Sequence, residues 1–378
     1  MKIAILHEML IKLGWAEKVV ESIMNIFPEA DIYTLIYDEK KVGKIFPSSQ
    51  IHPSCAKLAS QRIYNLTKKQ RMCLPFMKSS VESLDFSGYD RVIVSSSWFA
   101  HGLKSWSNTK TIIYYHAPAR YMWDWTHEYR KEIGMNTGVK WYLYGNYMKK
   151  LRVWDYYAAQ NNDVLLAYSI TTQSRIGKYF RRDSRVVYPP IETDRFAHEL
   201  SRISLKQYFK GEDYYIILSA LTEFKKLDIA IEAFKNIHDV NLLIIWAGEY
   251  RSELEKLAKN ARNIKFAGAQ YWDDLVSLVQ NSFGLIFPGE EDFGIVPIEV
   301  MAAGKPVFAL RKWGLTETVI AWQTWDFFMQ SDGSDFIENF TPFHKKNLEG
   351  KYEKHDCKNQ AAKYDSKIFA DLMKELVK

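Results

Sequence analysis

The sequence is poor in cysteine. Only Cys55, Cys73 and Cys357 occur among its 378 residues, and they are far apart, odd in number and without the spacing of a metal site. This pattern excludes a disulfide framework and indicates a reducing compartment. Clusters of metal-ligating residue types are also lacking.

Long apolar runs are absent as well. No stretch of about 18 uninterrupted apolar residues occurs, which excludes a membrane-spanning helix. The first ten residues, MKIAILHEML, lack the apolar region and cleavage site of a secretory signal, so a cytoplasmic location is expected. The net charge of +6 is spread over many segments. It suits an anionic partner such as a nucleotide diphosphate or an acidic lipid surface, and without a recognisable module we expect no nucleic acid.

What the chain does have is globular composition, with 47% hydrophobic and 25% charged residues, and enough length for two domains. Short apolar runs alternate with segments of helical spacing, first over residues 2–188 and again over residues 214–309. Such alternation predicts parallel, doubly wound α/β sheets. Pro189 and Pro190 favour a stiff linker between the two halves. Doubly wound sheets bind ligands at the carboxyl ends of their strands, so we expect a ligand cleft between the halves.

The strongest motif spans Phe287–Val307, where a strand runs into a glycine-containing loop and then a helix. Backbone N–H groups at such a helix start attract anions. Glu291 lies in the loop and Glu299 lies near the predicted helix start at Ile298, and their carboxylates can accept hydrogen bonds from sugar hydroxyls. Taken alone, two acids around a helix start more often provide capping and solvated charge.

Two further segments carry polar residues at predicted strand ends. In Ile113–Asp124, a histidine at position 116 precedes a proline, which by itself is more often structural than catalytic. In Leu218–Phe234, Lys225 lies between a strand and a helix, where a cation can meet a diphosphate or can be simply solvated.

Together these segments resemble the retaining glycosyltransferases of family 4 (glycosyl transferases group 1), in particular bacterial O-antigen mannosyltransferases. Phe287–Val307 is similar to their E-x7-E signature, and Ile113–Asp124 to their H-x-P-x-R-x-x-W-D segment. Smaller matches are Leu13–Val19, Tyr188–Phe196 and Thr316–Val319, so the resemblance covers nearly the whole chain in the right order. It implies an α/β protein of the GT-B fold, with two Rossmann-like doubly wound domains facing a central cleft.

The resemblance also implies domain limits and residue roles. Residues 1–190, joined by a C-terminal helix at 362–378, would bind the acceptor, and residues 191–361 would bind the nucleotide sugar. The catalytic residues would be His116, near the reacting sugar, Lys225, on the departing diphosphate, and Glu291, on the sugar hydroxyls. The donor would be bound by Gly14, Trp15, Phe293, Gly294, Ile295 and Glu299. Arg120 and Asp124 would shape the acceptor side.

The implied reaction is transfer of a hexose, with retention of anomeric configuration, to a glycan or polyprenyl-linked glycan in cell-surface polysaccharide synthesis. GDP-mannose is the favoured donor, and the resemblance implies no obligatory metal ion and no cofactor. A UDP- or dTDP-sugar donor, or a non-catalytic glycan- or lipid-binding relative of the same fold, are the alternatives. The family pattern often has an arginine where this chain has Ala220, which favours the non-catalytic alternative.

Tryptophan stands at several positions where relatives tend to carry glycine, namely Trp15, Trp98, Trp106, Trp246, Trp313, Trp322 and Trp325. Glycine reaches positive φ and lets the backbone approach a phosphate, whereas an indole does neither. UGA is read as glycine in some bacterial codes and as tryptophan in others. We hypothesise that glycine codons are rendered here as tryptophan; the alternative is genuine tryptophan and a crowded donor site.

Residues 56–78 and 139–152 mix apolar residues with lysine and arginine. Basic amphipathic surface suits anionic headgroups, although ordinary helices with one solvated face give the same pattern. With the lipid-linked acceptors that the resemblance implies, we expect peripheral contact with the inner face of the cytoplasmic membrane.

Overall fold

The computed structural model describes residues 1–132, 134, 138–198, 206–209, 213–319 and 324–378. The chain divides into two compact units, the first formed by Met1–Pro190 with Phe369–Lys378 and the second by Ile191–Ile368. Each unit contains one six-stranded sheet in which all the pairings are parallel. This is the α/β architecture that the alternating pattern predicts.

The first sheet has the strand order β2-β1-β3-β4-β5-β6. Its strands are β1 (Ile3–Leu10), β2 (Asp31–Tyr37), β3 (Arg91–Ser96), β4 (Lys110–Tyr115), β5 (Val164–Ala167) and β6 (Arg185–Val186). The helices around it are α1 (Trp15–Ile26), α2 (Glu39–Val42), α3 (Ala59–Thr67), α4 (Leu74–Glu82), α5 (Arg120–Trp123), α6 (Thr126–Glu132), α7 (Gly138–Gln160) and α8 (Ile170–Phe180).

The second sheet has the strand order β12-β11-β10-β7-β8-β9. Its strands are β7 (Tyr214–Leu218), β8 (Asn241–Ile245), β9 (Ile264–Gly268), β10 (Gly284–Phe287), β11 (Val307–Leu310) and β12 (Trp325–Phe328). Its helices are α9 (Thr193–Ala197), α10 (Lys206–Phe209), α11 (Leu227–Asn236), α12 (Arg251–Leu257), α13 (Trp272–Gln280), α14 (Ile295–Ala302), α15 (Leu315–Thr318), α16 (Phe336–Leu348) and α17 (Lys354–Ala362), followed by α18 (Ser366–Val377).

Both faces of the first sheet are buried, because alternate residues of one strand enter different cores. In β1, Ala4 and Leu6 lie in one cluster, whereas Ile3 and Ile5 lie in the other. Strands covered on both faces read as continuous apolar runs, which explains why the sequence pattern located them. The three cysteines are free thiols and are buried.

The structure corrects the expected return of the chain to the first unit at residue 362. Helix α17 lies in the second unit, where it packs against α14, and the return falls at Phe369. Phe369, Met373 and Val377 of α18 then enter the core of the first unit. No helix within the described ranges combines the length and the apolarity that a membrane crossing requires.

Candidate functional site

Two loops of the second unit approach each other because their strands are neighbours. Strand β7 pairs with β10, so the β7–α11 loop and the β10–α14 loop leave the same edge of the sheet. A Cβ placed on Gly289 would lie 2.9 Å from the carbonyl oxygen of Lys225. Only glycine allows so close an approach of the two backbones.

This approach brings together two of the predicted catalytic residues. The Lys225 ammonium forms an ion pair with the Glu291 carboxylate, and the side chains are 16% and 27% exposed, respectively. The adjacent acid, Glu290, pairs instead with Lys312, at 2.7 Å. A cation and a carboxylate therefore lie side by side at the carboxyl edge of the sheet, each accessible to solvent.

Gly294 turns the chain from this loop into helix α14. Its φ of +89° is left-handed, so the backbone demands glycine, and a Cβ there would lie 2.6 Å from Leu315 Cδ2, which would have to shift. Ile295 then opens the helix, whose first-turn N–H groups lack partners within the helix and point toward the loop. The positive end of α14 thus faces the segment that carries Glu291.

Helix α14 begins at Ile295, three residues before the predicted start at Ile298. The predicted start was wrong, because proline is tolerated in a first helical turn and Pro297 lies inside the helix. Glu299 is consequently inside the helix and only 7% exposed. The interpretation of Glu299 as a solvated charge is therefore excluded.

Phe293 occupies the interior beside this loop. Its ring is fully buried and packs edge-on against Tyr364, with centroids 5.5 Å apart. Its carbonyl oxygen accepts a hydrogen bond from Thr318 Oγ1 at 3.3 Å. The side chain of Phe293 therefore anchors the loop, and only its backbone can face a ligand.

In the first unit, His116 follows directly after β4. Its N–H donates to the Ser96 carbonyl at 2.9 Å, and its Nε2 lies 2.7 Å from Ser95 Oγ. Burial, reinforced by the nearby His7, lowers the pKa of His116 to about 3. The imidazole is therefore neutral at physiological pH.

The loop after β1 is joined through Glu17 to a second buried histidine, His7. The Gly14 N–H donates to Glu17 Oε2 at 2.9 Å, and Glu17 Oε1 lies 3.9 Å from His7 Nε2. Trp15, at the start of α1, is 40% exposed, and the Lys18 ammonium lies 4.4 Å from its ring centroid. Gly14 and Trp15 thus flank a buried acid–base pair.

Arg120 and Asp124 lie at the two ends of the short helix α5. The Asp124 carboxylate pairs with Arg175 at 3.3 Å and accepts a hydrogen bond from Tyr179. The Arg120 guanidinium stacks over the Trp125 ring at 4.6 Å. Asp124 therefore holds α5 onto helix α8.

Four of the seven tryptophans at these positions divide into two groups. Trp246 and Trp313 have φ values of +118° and +49°. The Trp246 ring contacts Tyr271, which is 58% exposed. The Trp98 ring packs against Tyr121 and the Trp106 ring against Phe86, both on the core of the first unit. Trp322 lies outside the described residues. Positive φ favours glycine at 246 and 313, whereas the packing favours genuine tryptophan at 98 and 106.

Three buried polar residues near His116 escaped the sequence analysis, namely His7, Glu17 and Ser95. One signal was available, because His7 and Glu8 interrupt the apolar run of the first strand. Glu8 Oε1 accepts hydrogen bonds from the N–H groups of Ser97, Trp98 and Ala100 and thereby fixes the loop after β3. Within the described ranges, no three metal-ligating side chains come together.

Comparison with known proteins gives these sites a context. Residues 203–363 match the family model of the glycosyl transferases group 1. The chain is 28% identical over 186 residues to the Saccharomyces cerevisiae alpha-1,3/1,6-mannosyltransferase ALG2, covering 38% of this chain and 36% of that protein. It is 31% identical over 177 residues to the Mycobacterium tuberculosis GDP-mannose-dependent alpha-(1-6)-phosphatidylinositol monomannoside mannosyltransferase, covering 42% and 46%. The match thus spans less than half the length of each of these two relatives.

The fold can be compared over the whole chain. The crystal structure of Anabaena Alr3699/HepE in complex with UDP superposes with a TM-score of 0.72 at 16% sequence identity, covering 100% of this chain and 99% of that one. This likeness confirms the predicted GT-B fold of two Rossmann-like domains. Residues 203–363 therefore belong to the glycosyl transferases group 1, carried on a chain with the fold of the GT-B glycosyltransferases.

Proposed function

We propose that this protein is a retaining glycosyltransferase that moves a hexose from a nucleotide sugar to a glycan or lipid-linked glycan in cell-surface polysaccharide synthesis. The contact between Lys225 and Glu291, at the edge of the sheet where helix α14 begins, carries the proposal. The contact places a cation that can bind a diphosphate, Lys225, beside a carboxylate that can accept hydrogen bonds from sugar hydroxyls, Glu291.

Each charged group has a separate task in the proposed reaction. Lys225 and the first-turn amides of α14, around Gly294 and Ile295, stabilise the negative charge that develops on the departing diphosphate. Glu291 accepts hydrogen bonds from the sugar, and Glu299 binds the ribose. Attack on the face that the diphosphate leaves gives retention of configuration. This charge balance needs no metal ion, because the protein supplies the positive charge.

The first unit supplies the remaining roles. His116, neutral at physiological pH, contacts a hydroxyl of the reacting sugar, with Gly14 and Trp15 on the adjoining loop. Arg120 receives the acceptor, and Asp124 keeps α5 in place for it.

Mannose from GDP-mannose is the favoured donor, because two of the relatives are named as mannosyltransferases, one of them GDP-mannose-dependent. The structural relative with UDP keeps UDP-sugars as the alternative, beside dTDP-sugars. The deciding experiment is hydrolysis of a panel of GDP-, UDP- and dTDP-sugars, with and without EDTA. Hydrolysis of GDP-mannose with retained configuration supports the proposal, and an inverted product contradicts it.

A second candidate is a non-catalytic glycan- or lipid-binding protein. Ala220, at the end of the β7 edge, is exposed and contributes no positive charge toward a diphosphate. A thermal-shift panel of nucleoside diphosphates separates the candidates. Stabilisation by one nucleoside diphosphate supports the transferase, whereas no stabilisation by any of them favours the binding protein.

We also propose that the first unit docks on an anionic membrane. Two segments expose apolar side chains beside lysine and arginine, one around α7 and the other from α3 to α4. The exposed apolar residues are Leu66, Met72, Phe76, Val139, Trp141, Tyr142, Leu143, Tyr147, Val153 and Tyr157. Exposed cations between them include Lys68, Lys69, Arg71, Lys140, Lys149 and Lys150. Aromatic and basic groups together suit the headgroup region of an anionic bilayer.

A further inference from the structure

A buried chain of polar groups runs behind His116. Glu17 Oε1 lies 3.9 Å from His7 Nε2, His7 Nδ1 lies 3.0 Å from Ser95 Oγ, and Ser95 Oγ lies 2.7 Å from His116 Nε2. His7, Glu17 and Ser95 are at most 6% exposed. The chain joins helix α1, strand β1 and strand β3 to the end of β4.

The hydrogens in this chain can be assigned from the acceptors. His7 Nδ1 also lies 3.2 Å from the carbonyl oxygen of Ser95, which can only accept, so this nitrogen carries a hydrogen. The Ser95 hydroxyl oxygen also accepts this hydrogen from His7 Nδ1, so the hydroxyl hydrogen of Ser95 is available to be donated elsewhere. Among the described residues its other neighbour is His116 Nε2, so that nitrogen accepts.

The opposite assignment is unfavourable. If His116 Nε2 carried the hydrogen, the Ser95 hydroxyl would accept from two imidazoles, and its own hydrogen would have no acceptor within the described part of the chain. Ser95 is 0% exposed, so water cannot replace that acceptor. A buried hydroxyl whose hydrogen bond is not made is destabilising, because it has lost water without gaining a partner. Neutral His116 therefore carries its single hydrogen on Nδ1.

Glu17 supports the same arrangement from the other side. Burial disfavours the charged form of His7, but the Glu17 carboxylate outweighs it and raises the pKa of His7. Glu17 also accepts from the Gly14 N–H, so one carboxylate orders both the loop after β1 and the imidazole behind Ser95. The Nδ1 atom of His116 has no hydrogen-bond partner among the described residues and is thus left for a substrate.

We propose that Ser95, supported by His7 and Glu17, is a positioning residue that holds His116 in its Nδ1–H tautomer, so that Nδ1 donates to a hydroxyl of the reacting sugar. The inference rests on the proposed transferase function for its last step only. The tautomer itself is a property of the protein without substrate.

The test is nitrogen NMR of protein labelled with ¹⁵N-histidine, with the signals of residue 116 identified by their loss in His116→Gln. In the wild-type protein we expect a protonated Nδ1 and an unprotonated Nε2. Ser95→Ala should move the hydrogen toward Nε2, because the hydroxyl donor is gone. The matched control is Ser96→Ala, which removes a neighbouring buried hydroxyl that contacts Glu8 and His101 instead, and it should leave the tautomer unchanged.

A second variant keeps the test decisive if Ser95→Ala does not fold. His7→Asn places an amide donor where Nδ1 lies and should preserve the Nδ1–H tautomer of His116. A wild-type spectrum with hydrogen on Nε2, or a Ser95→Ala spectrum identical to the wild type, overturns the inference.

Kinetics supply the second readout. In donor hydrolysis, Ser95→Ala should lower kcat roughly tenfold or more with little change in KM. The wrong tautomer of His116 reduces the stabilisation of the transition state more than it reduces the binding of the donor. Failure of every nucleotide sugar in the panel would contradict the proposed function, while the NMR result would still decide the tautomer.

Discussion

The Lys225 ammonium contacts the Glu291 carboxylate, although the two residues are 66 positions apart in the sequence. The contact arises because β7 and β10 are neighbours and because Gly289 lets their loops approach. Each charge holds the other at the sheet edge where helix α14 begins. A bound donor would replace this ion pair with two new contacts. Its diphosphate would take the place of the carboxylate beside Lys225, and its sugar hydroxyls would take the place of the ammonium beside Glu291.

Neutralising either member of this pair should abolish most of the donor hydrolysis. We expect Lys225→Ala and Glu291→Gln each to lower kcat/KM on the order of 100-fold, as removal of one group that stabilises transition-state charge typically does. The matched control is Glu290→Gln, which changes the adjacent acid and breaks only its pair with Lys312. Equal losses of kcat/KM in Glu290→Gln and Glu291→Gln would show that donor hydrolysis depends on the structure of the loop and not on the Glu291 carboxylate.

Glycine should stabilise the protein at positions 246 and 313. Residues held at positive φ store about 1–3 kcal/mol of strain. Glycine removes this strain, but its greater entropy in the unfolded chain offsets part of the gain in stability. We therefore expect Trp246→Gly and Trp313→Gly each to raise the free energy of unfolding by about 1 kcal/mol in urea titrations. Trp106→Gly should instead lower it, because the Trp106 ring packs against Phe86.

The same hypothesis has a direct chemical test. Mass spectrometry of tryptic peptides from the native organism should show glycine at 246 and 313 if a UGA codon is read as glycine. Tryptophan at both positions, with no gain in stability on replacement by glycine, would establish genuine tryptophan at these two sites.

Acid should destabilise the protein partly through His116. Because its folded pKa, about 3, lies below that of the unfolded chain, the unfolded state binds the proton more readily between the two values. Stability is therefore lost as the pH falls from about 6.5 toward about 3. The facing groups His7 and Glu17 are retained in His116→Gln, so this variant should lose less stability than the wild type between about pH 7 and about pH 5. Parallel pH dependence of the two urea midpoints would contradict the lowered pKa.

Membrane docking should depend on the exposed face of α7. We expect the wild-type protein to co-sediment with anionic liposomes at low salt and to be released by salt, because screening weakens attraction to the headgroups. The double change Tyr142→Glu/Leu143→Glu should abolish binding. The control is Ile337→Glu/Leu348→Glu, which alters two other exposed apolar residues, in α16 of the second unit. Equal loss in both variants, or no binding by the wild type, would exclude this surface.

Much of the fold could be predicted from the sequence, because parallel strands buried on both faces are continuous apolar runs. Strands β7, β8, β9 and β10 lie within residues 214–309, where the alternating pattern predicted strands and helices. The edge strand β12 and helices α16 and α17 lie after this range and were not predicted. These elements are stabilised by tertiary contacts, among them the packing of Phe336, Phe340 and Phe343 in the second core, which local composition does not reveal.

The sequence by itself determined which chemical groups are present and in what order, namely His116, Lys225, Glu291 and the glycines of the loop before α14. Only the tertiary structure decided that Glu299 is buried within a helix, that Lys225 pairs with Glu291 and not with Glu290, and that His7, Glu17 and Ser95 lie behind His116. Pairing and burial depend on which strands are neighbours and how closely their loops approach. Those relations are set by the packing of the whole sheet and have no signature in any single stretch of the chain.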